Sequence, residues 1–209
     1  MLQSTREGSW VPVVRSLVEI GVIRFPMDFP VSLNFRPKDM ASIRGPLGLL
    51  TSEHMHRIGE RISNTDEQMC KGCHGVVGIP YAGYPNRWAN EGSPLVIAFA
   101  KRWAGMTPLG FHQVKAKASS QAAYKVLVVD TFPCGNLDPV EEAIDTLCGM
   151  SVEVVGAVTF LKDDGQERLC GRPLSSVFTP TTLLEFCHKH KLVPLNRREA
   201  IDYYLRTRH

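Results

Sequence analysis

One stretch constrains this chain more than any other. The β-branched run Lys125-Val126-Leu127-Val128-Val129 ends in an acid, Asp130, passes through Thr131-Phe132-Pro133-Cys134-Gly135-Asn136-Leu137, and meets Asp138-Pro139-Val140-Glu141-Glu142. The run has the length and residue types of a strand buried on both faces. Asp138 before Pro139, with Glu141 in the third helical position, has the form of a capped helix start. Strand, Gly-containing loop and helix N-terminus in that order make a place where an anion, most often a phosphate, can sit.

Alternation of this kind continues along the chain. Gly75 to Ile79, Leu95 to Phe99 and Glu153 to Leu161 are further short apolar runs that predict strands. Helical spacing marks Trp10 to Ile23 and Leu49 to Ile62, and helix starts at Asp138, Thr179-Pro180 and Asn196 predict helices over Asp138 to Cys148, Thr181 to His190 and Arg197 to Arg206. Arg24 to Gly48, rich in Pro and of mixed polarity, predicts an irregular flap. The pattern predicts an α/β doubly wound parallel sheet, in which ligands bind at the carboxyl ends of the strands. An N-terminal helix and hood over 1–64 and an α/β core over 65–209 are the expected division.

Composition narrows the function classes. With 209 residues, 44% of them hydrophobic, and a formal charge of only +3, the chain predicts a soluble, cytoplasmic globular protein and gives no case for nucleic acid or a membrane as partner. No run reaches the ~20 apolar residues that cross a bilayer. Lys189, Lys191, Arg197, Arg198, Arg206 and Arg208 make the last residues locally basic, as a solvated helix face is.

The six cysteines do not have the density of a disulfide framework. Cys70-Lys71-Gly72-Cys73-His74 matches the spacing of haem attachment and also suits a metal or a redox pair. No second C-x-x-C or paired histidines complete a zinc site, so a structural loop is the expected reading and no metal ligand is assigned.

A second strand end faces the edge on which Asp130 lies: Gly78-Ile79-Pro80-Tyr81-Ala82-Gly83-Tyr84-Pro85. Small residues there let backbone N–H groups approach a ligand. Val76 to Pro85 followed by Lys125 to Asp130 resembles the phosphoribosyltransferase family, and within it the orotate phosphoribosyltransferases. Val154-Val155-Gly156-Ala157-Val158 resembles the family's next strand and Pro173 to Thr179 its last, while Pro37 to Arg44 is similar to its hood.

The resemblance implies a parallel sheet with a hood, a homodimer, and 5-phosphoribosyl 1-diphosphate bound with Mg2+; another phosphorylated small molecule is the alternative ligand. It implies that Ala82, Gly83 and Tyr84 line the diphosphate, that Asp130 holds the ribose hydroxyls, and that Thr131 and Pro133, Cys134, Gly135, Asn136 and Leu137 wrap the 5-phosphate. Lys101 and Arg102 match best the cations of the family's catalytic loop. Lys115, Lys117 and His112 lie further along and supply charge if that loop folds differently.

Departures from the pattern are specific. A second acid beside Asp130 is missing, Pro133 lacks an N–H donor, and Cys134 stands where a hydroxyl is usual. Each lost phosphate hydrogen bond weakens binding by about 1.5–3 kcal/mol. Two expectations follow: a divergent phosphoribosyltransferase acting on a nucleobase, or a regulatory protein that keeps a nucleotide or anion site on the same fold.

Overall fold

The computed structural model describes residues 2–25, 51–79, 93–120, 124–130 and 138–207. Contacts divide the chain into one unit of residues 51–177 and another of residues 1–50 with 178–209.

The first of these holds the sheet. Its helices are α2 (Ser52–Ile62), α3 (Glu67–Cys70), α4 (Pro94–Ala100), α5 (Phe111–Ser120) and α6 (Asp138–Gly149). Strands β1 (Gly75–Gly78), β2 (Thr107–Leu109), β3 (Lys125–Asp130), β4 (Glu153–Leu161), β5 (Arg168–Leu169) and β6 (Arg172–Phe178) form a sheet in the order β2-β1-β3-β4-β6-β5. β1 pairs in parallel with β2 and β3, and β3 in parallel with β4, whereas β5 and β6 form an antiparallel hairpin.

β3 is flanked on both edges by parallel strands and buried throughout Val126–Asp130, which is why its sequence reads as an unbroken apolar run. The chain moves from β1 outward to β2, then returns to place β3 on the other side of β1. The strand order therefore reverses between β1 and β3, and the carboxyl ends of such a pair are where open α/β sheets generally bind ligands.

The run Leu95–Phe99, expected as a strand, is instead the body of helix α4. Pro94 occupies the first turn, where its fixed φ and missing N–H suit a helix, and Leu95, Val96, Ala98, Phe99 and Ala100 are buried. A short apolar run buried all round has no periodicity to separate helix from strand. Gly59 of α2 permits the packing: a Cβ there would stand 2.4 Å from the Leu95 carbonyl oxygen.

The other unit contains α1 (Leu2–Glu19), α7 (Pro180–Lys189) and α8 (Leu195–Thr207). Trp10, Val13, Val14 and Leu17 give α1 a buried stripe at helical spacing, and Gly21, at φ +74°, ends the run. Thr179 caps α7 by accepting from the Thr182 amide, and Phe178 packs edge-on against both Trp10 and Phe186. The expected hood, Pro37 to Arg44, lies outside the described residues.

Candidate functional site at the carboxyl edge of the sheet

Asp130 is the last residue of β3 and is 4% exposed, one of few buried polar groups among the described residues. Val129 lies opposite Gly78, so Asp130 stands one residue further along, level with the end of β1, and on its other side it lies opposite Thr159 of β4. A carboxylate held at a strand-order reversal by buried strands on both sides has a fixed position, and its chemistry is that of a hydrogen-bond acceptor. Thr159 is fully buried and donates to the Leu161 carbonyl at 3.1 Å, with the Ser175 carbonyl 3.5 Å away, which ties β4 to β6 beneath the same edge.

Ala82, Gly83 and Tyr84, like Thr131, Pro133, Cys134, Gly135, Asn136 and Leu137, lie outside the described residues. What the structure fixes is where those segments begin and end. One leaves β1 at Ile79 and the other joins Asp130 to Asp138, the first residue of α6, so both depart from the β1/β3 switch.

Lys101 and Arg102 fall elsewhere. They are exposed in the turn after α4, where Lys101 N–H donates to the Ile97 carbonyl and Arg102 N–H to the Phe99 carbonyl. The turn leads directly into Thr107, which lies opposite Gly75 at the start of β1. Trp103 Nε1 donates to the Ser63 carbonyl at 3.2 Å, holding the turn against the end of α2. Lys101 and Arg102 therefore sit at the amino edge of the sheet, a strand length from Asp130, and the structure does not bring them together with it.

The segment that carries Lys115 and Lys117 leaves the same edge as Asp130. β2 ends at Leu109, and α5 begins at Phe111 after Gly110, whose N–H donates to Gln113 Oε1 at 3.1 Å. Val114 buries one side of α5, while Lys115 and Lys117 are exposed. β2 escaped notice because it is three residues long and contains Pro108, which an edge strand tolerates.

The Cys70-x-x-Cys73-His74 motif is built into the core. Cys70 and Cys73 are 2% and 8% exposed, and burial pushes their thiols up to about 12 and about 11. Cys73 Sγ donates to the Met69 carbonyl at 3.2 Å. His74 Nδ1 accepts from the Lys125 amide at 3.0 Å, which leaves the ring proton on Nε2, and the ring stacks on Tyr124. Its own amide donates to the Lys125 carbonyl, and its carbonyl accepts from Thr107, so His74 joins β1 to both neighbours. No group of three or more potential ligand side chains that could hold a metal occurs among the described residues.

Lys162, after β4, donates through Nζ to the Leu174 carbonyl at 3.0 Å and so braces β4 against β6. No helix among the described residues is long and apolar enough to cross a membrane.

The parallel sheet, its order and the switch at Asp130 define an α/β fold of the phosphoribosyltransferase type. Among solved structures, UMP synthase of Leishmania donovani superposes with a TM-score of 0.55 at 15% sequence identity, over 94% of this chain and 42% of that one. The chain thus spans less than half the length of that neighbour. No protein-family model matches the sequence, and no curated protein matches it.

Proposed function

We propose that this chain is a divergent phosphoribosyltransferase of the orotate type, transferring ribose 5-phosphate from phosphoribosyl diphosphate to a nucleobase. The observation that carries this reading is the buried carboxylate of Asp130 at the strand-order reversal, between two segments that leave the same edge. A fold neighbour named for making UMP supports a pyrimidine base as acceptor.

In this reading Asp130 accepts hydrogen bonds from the two ribose hydroxyls and fixes the sugar. Backbone N–H groups of Ala82, Gly83 and Tyr84 receive the diphosphate, and the Thr131 to Leu137 segment receives the 5-phosphate. Transfer breaks the bond from the anomeric carbon to the diphosphate and forms one to a ring nitrogen, so stabilising the leaving charge is the main task. Mg2+ neutralises part of that charge when bound with the donor, as it commonly binds through substrate phosphates and one or two carboxylates rather than a protein cage. Asp130 fits that demand. Of the candidate cations, Lys115 lies nearer the start of α5, the end that leaves the carboxyl edge after β2, whereas Lys117 is in its last turn and Lys101 and Arg102 lie in the turn before β2 at the opposite end of the strands, so Lys115 is the preferred cation.

Pro133 and Cys134 favour the second reading, in which the site binds a nucleotide or anion without turnover. A base-consumption assay with phosphoribosyl diphosphate and Mg2+ separates the two, with orotate tested first and other nucleobases next. Consumption of a base that is lost in Asp130→Asn supports the transferase. Donor binding with no base consumed assigns the chain to the regulatory reading. The resemblance also implies a homodimer, which sedimentation tests.

A further inference from the structure

The Cys70-x-x-Cys73 spacing closes a turn. Cys73 N–H donates to the Cys70 carbonyl at 3.3 Å, Lys71 lies at φ −63° and ψ 129°, and Gly72 at φ +79°. This is the type II pattern, which puts glycine where positive φ is needed and holds the first and last Cα atoms within about 7 Å. A Cβ on Gly72 would meet nothing within 4 Å, so backbone conformation, not space, calls for glycine there. A disulfide spans Cα atoms about 4.4–6.8 Å apart, so a bridge across this turn needs side-chain rotation and little backbone movement.

Side-chain geometry points the same way. Cys73 Sγ lies 3.2 Å from the Met69 carbonyl oxygen, an atom of the peptide group that carries the Cys70 N–H. The sulfur is therefore folded back over the turn onto the peptide of its partner. Lys71 and Gly72 at the tip are exposed, whereas Cys70 and Cys73 beneath it are 2% and 8% exposed. Exchange at a sulfur requires access to it, so a bond here is made or broken while the turn is open and is protected once the chain has closed.

We propose that Cys70 and Cys73 are a redox pair, whose disulfide spans the turn in front of β1, is favoured by the fold and is shielded by burial. The turn leads into His74, whose amide donates to the Lys125 carbonyl and whose carbonyl accepts from Thr107, so the crosslink braces the point at which β1 joins both neighbours. Glutathione disulfide is a sufficient oxidant. With the turn open, one protein thiolate attacks a sulfur of glutathione disulfide, breaking its S–S bond and giving a mixed disulfide and a glutathione thiolate. The second protein thiolate attacks the protein sulfur of that mixed disulfide, forming the Cys70–Cys73 bond and releasing the second glutathione thiolate. Each cysteine gives up one proton, each glutathione thiolate takes one up, and two electrons pass from the protein to the oxidant.

The test brings the full chain from urea into native buffer at a fixed ratio of glutathione to its disulfide, with a parallel sample kept in urea. Thiols are quenched with acid, alkylated with iodoacetamide in denaturant, and mapped as peptides without reduction. The expected product joins Cys70 to Cys73, and its ratio to the reduced pair should be at least about tenfold higher in native buffer than in urea, because the folded turn has already closed the loop. Dithiothreitol should then reduce that bond more slowly in native buffer than in urea. Cys73→Ser keeps a donor for the Met69 carbonyl and should fold without forming the link. An equal or lower linked ratio in native buffer overturns the proposal. So does reduction at the same rate in both conditions, or a disulfide that pairs either residue with another cysteine.

Discussion

Asp130 and Thr159 lie opposite one another at the carboxyl end of the β3/β4 pair, 4% and 0% exposed. They divide the work of the edge. Thr159 donates its hydroxyl chiefly to the Leu161 carbonyl of its own strand, with the Ser175 carbonyl of β6 at 3.5 Å as the link to the neighbouring strand, while Asp130 ends β3 where the strand order reverses. Thr159→Val keeps the shape and removes the donor. It should lower unfolding stability by about 1–2 kcal/mol in urea titration while changing donor affinity less than about threefold. A large affinity loss with unchanged stability would move Thr159 from the scaffold into the site.

The positions of the cations give a second prediction. Lys115→Ala should reduce kcat/KM with phosphoribosyl diphosphate by about tenfold or more, whereas Lys117→Ala, Lys101→Ala and Arg102→Ala should stay within about threefold. Separation of the α4–β2 turn from Asp130 underlies this ranking. The reverse ranking would require the turn to reach the opposite edge, against the register.

Alkaline stability should report the buried thiols. Cys70 and Cys187 are pushed up to about 12 and Cys73 to about 11, from a usual value of 9.0. Between those values the unfolded chain releases protons that the folded chain retains, so stability is fully present below pH 9 and falls as pH rises. A loss on the order of 1 kcal/mol per pH unit for each of the three thiols is expected above pH 9 in denaturant melts. At neutral pH, iodoacetamide should leave these thiols unmodified in the folded protein, and rapid labelling would contradict their burial.

His54 makes an acid-side counterpart. Its Nδ1 accepts from the Thr51 amide at 3.2 Å, while its own amide donates to Thr51 Oγ1 at 3.3 Å, completing a capping box at the start of α2. Burial first, and then Arg57, lower its pKa below 6.5. Below about pH 6.5 the unfolded chain takes up a proton that the folded chain resists, so this contribution is present above 6.5 and lost as pH falls through the folded value. His54→Gln keeps a capping side chain and should hold stability at pH 7 within about 0.5 kcal/mol while flattening the acid slope.

What could be read from sequence was decided by how local the physics is. β3 and β4 announce themselves because strands covered on both faces need continuous apolar runs, and α7 because Thr179-Pro180 caps it locally. Asp130 was legible as a polar group ending such a run. The Leu95–Phe99 segment was not, since its helical state depends on Pro94 and on the close approach that Gly59 allows. Lys101 and Arg102 were matched by residue type along the chain, but the edge of a sheet to which a turn belongs depends on parallel pairing between distant segments. Recognising β2 over Thr107–Leu109 would have moved the expectation to α5.

Calorimetric titration with phosphoribosyl diphosphate and Mg2+ tests the central claim most directly, run on the unaltered chain and on Asp130→Asn, with equal folding checked by circular dichroism. The account predicts measurable binding to the unaltered chain and a loss of affinity of at least about tenfold in the variant, a difference of about 1.4 kcal/mol. No heat at millimolar donor, or equal binding by both proteins, would contradict it.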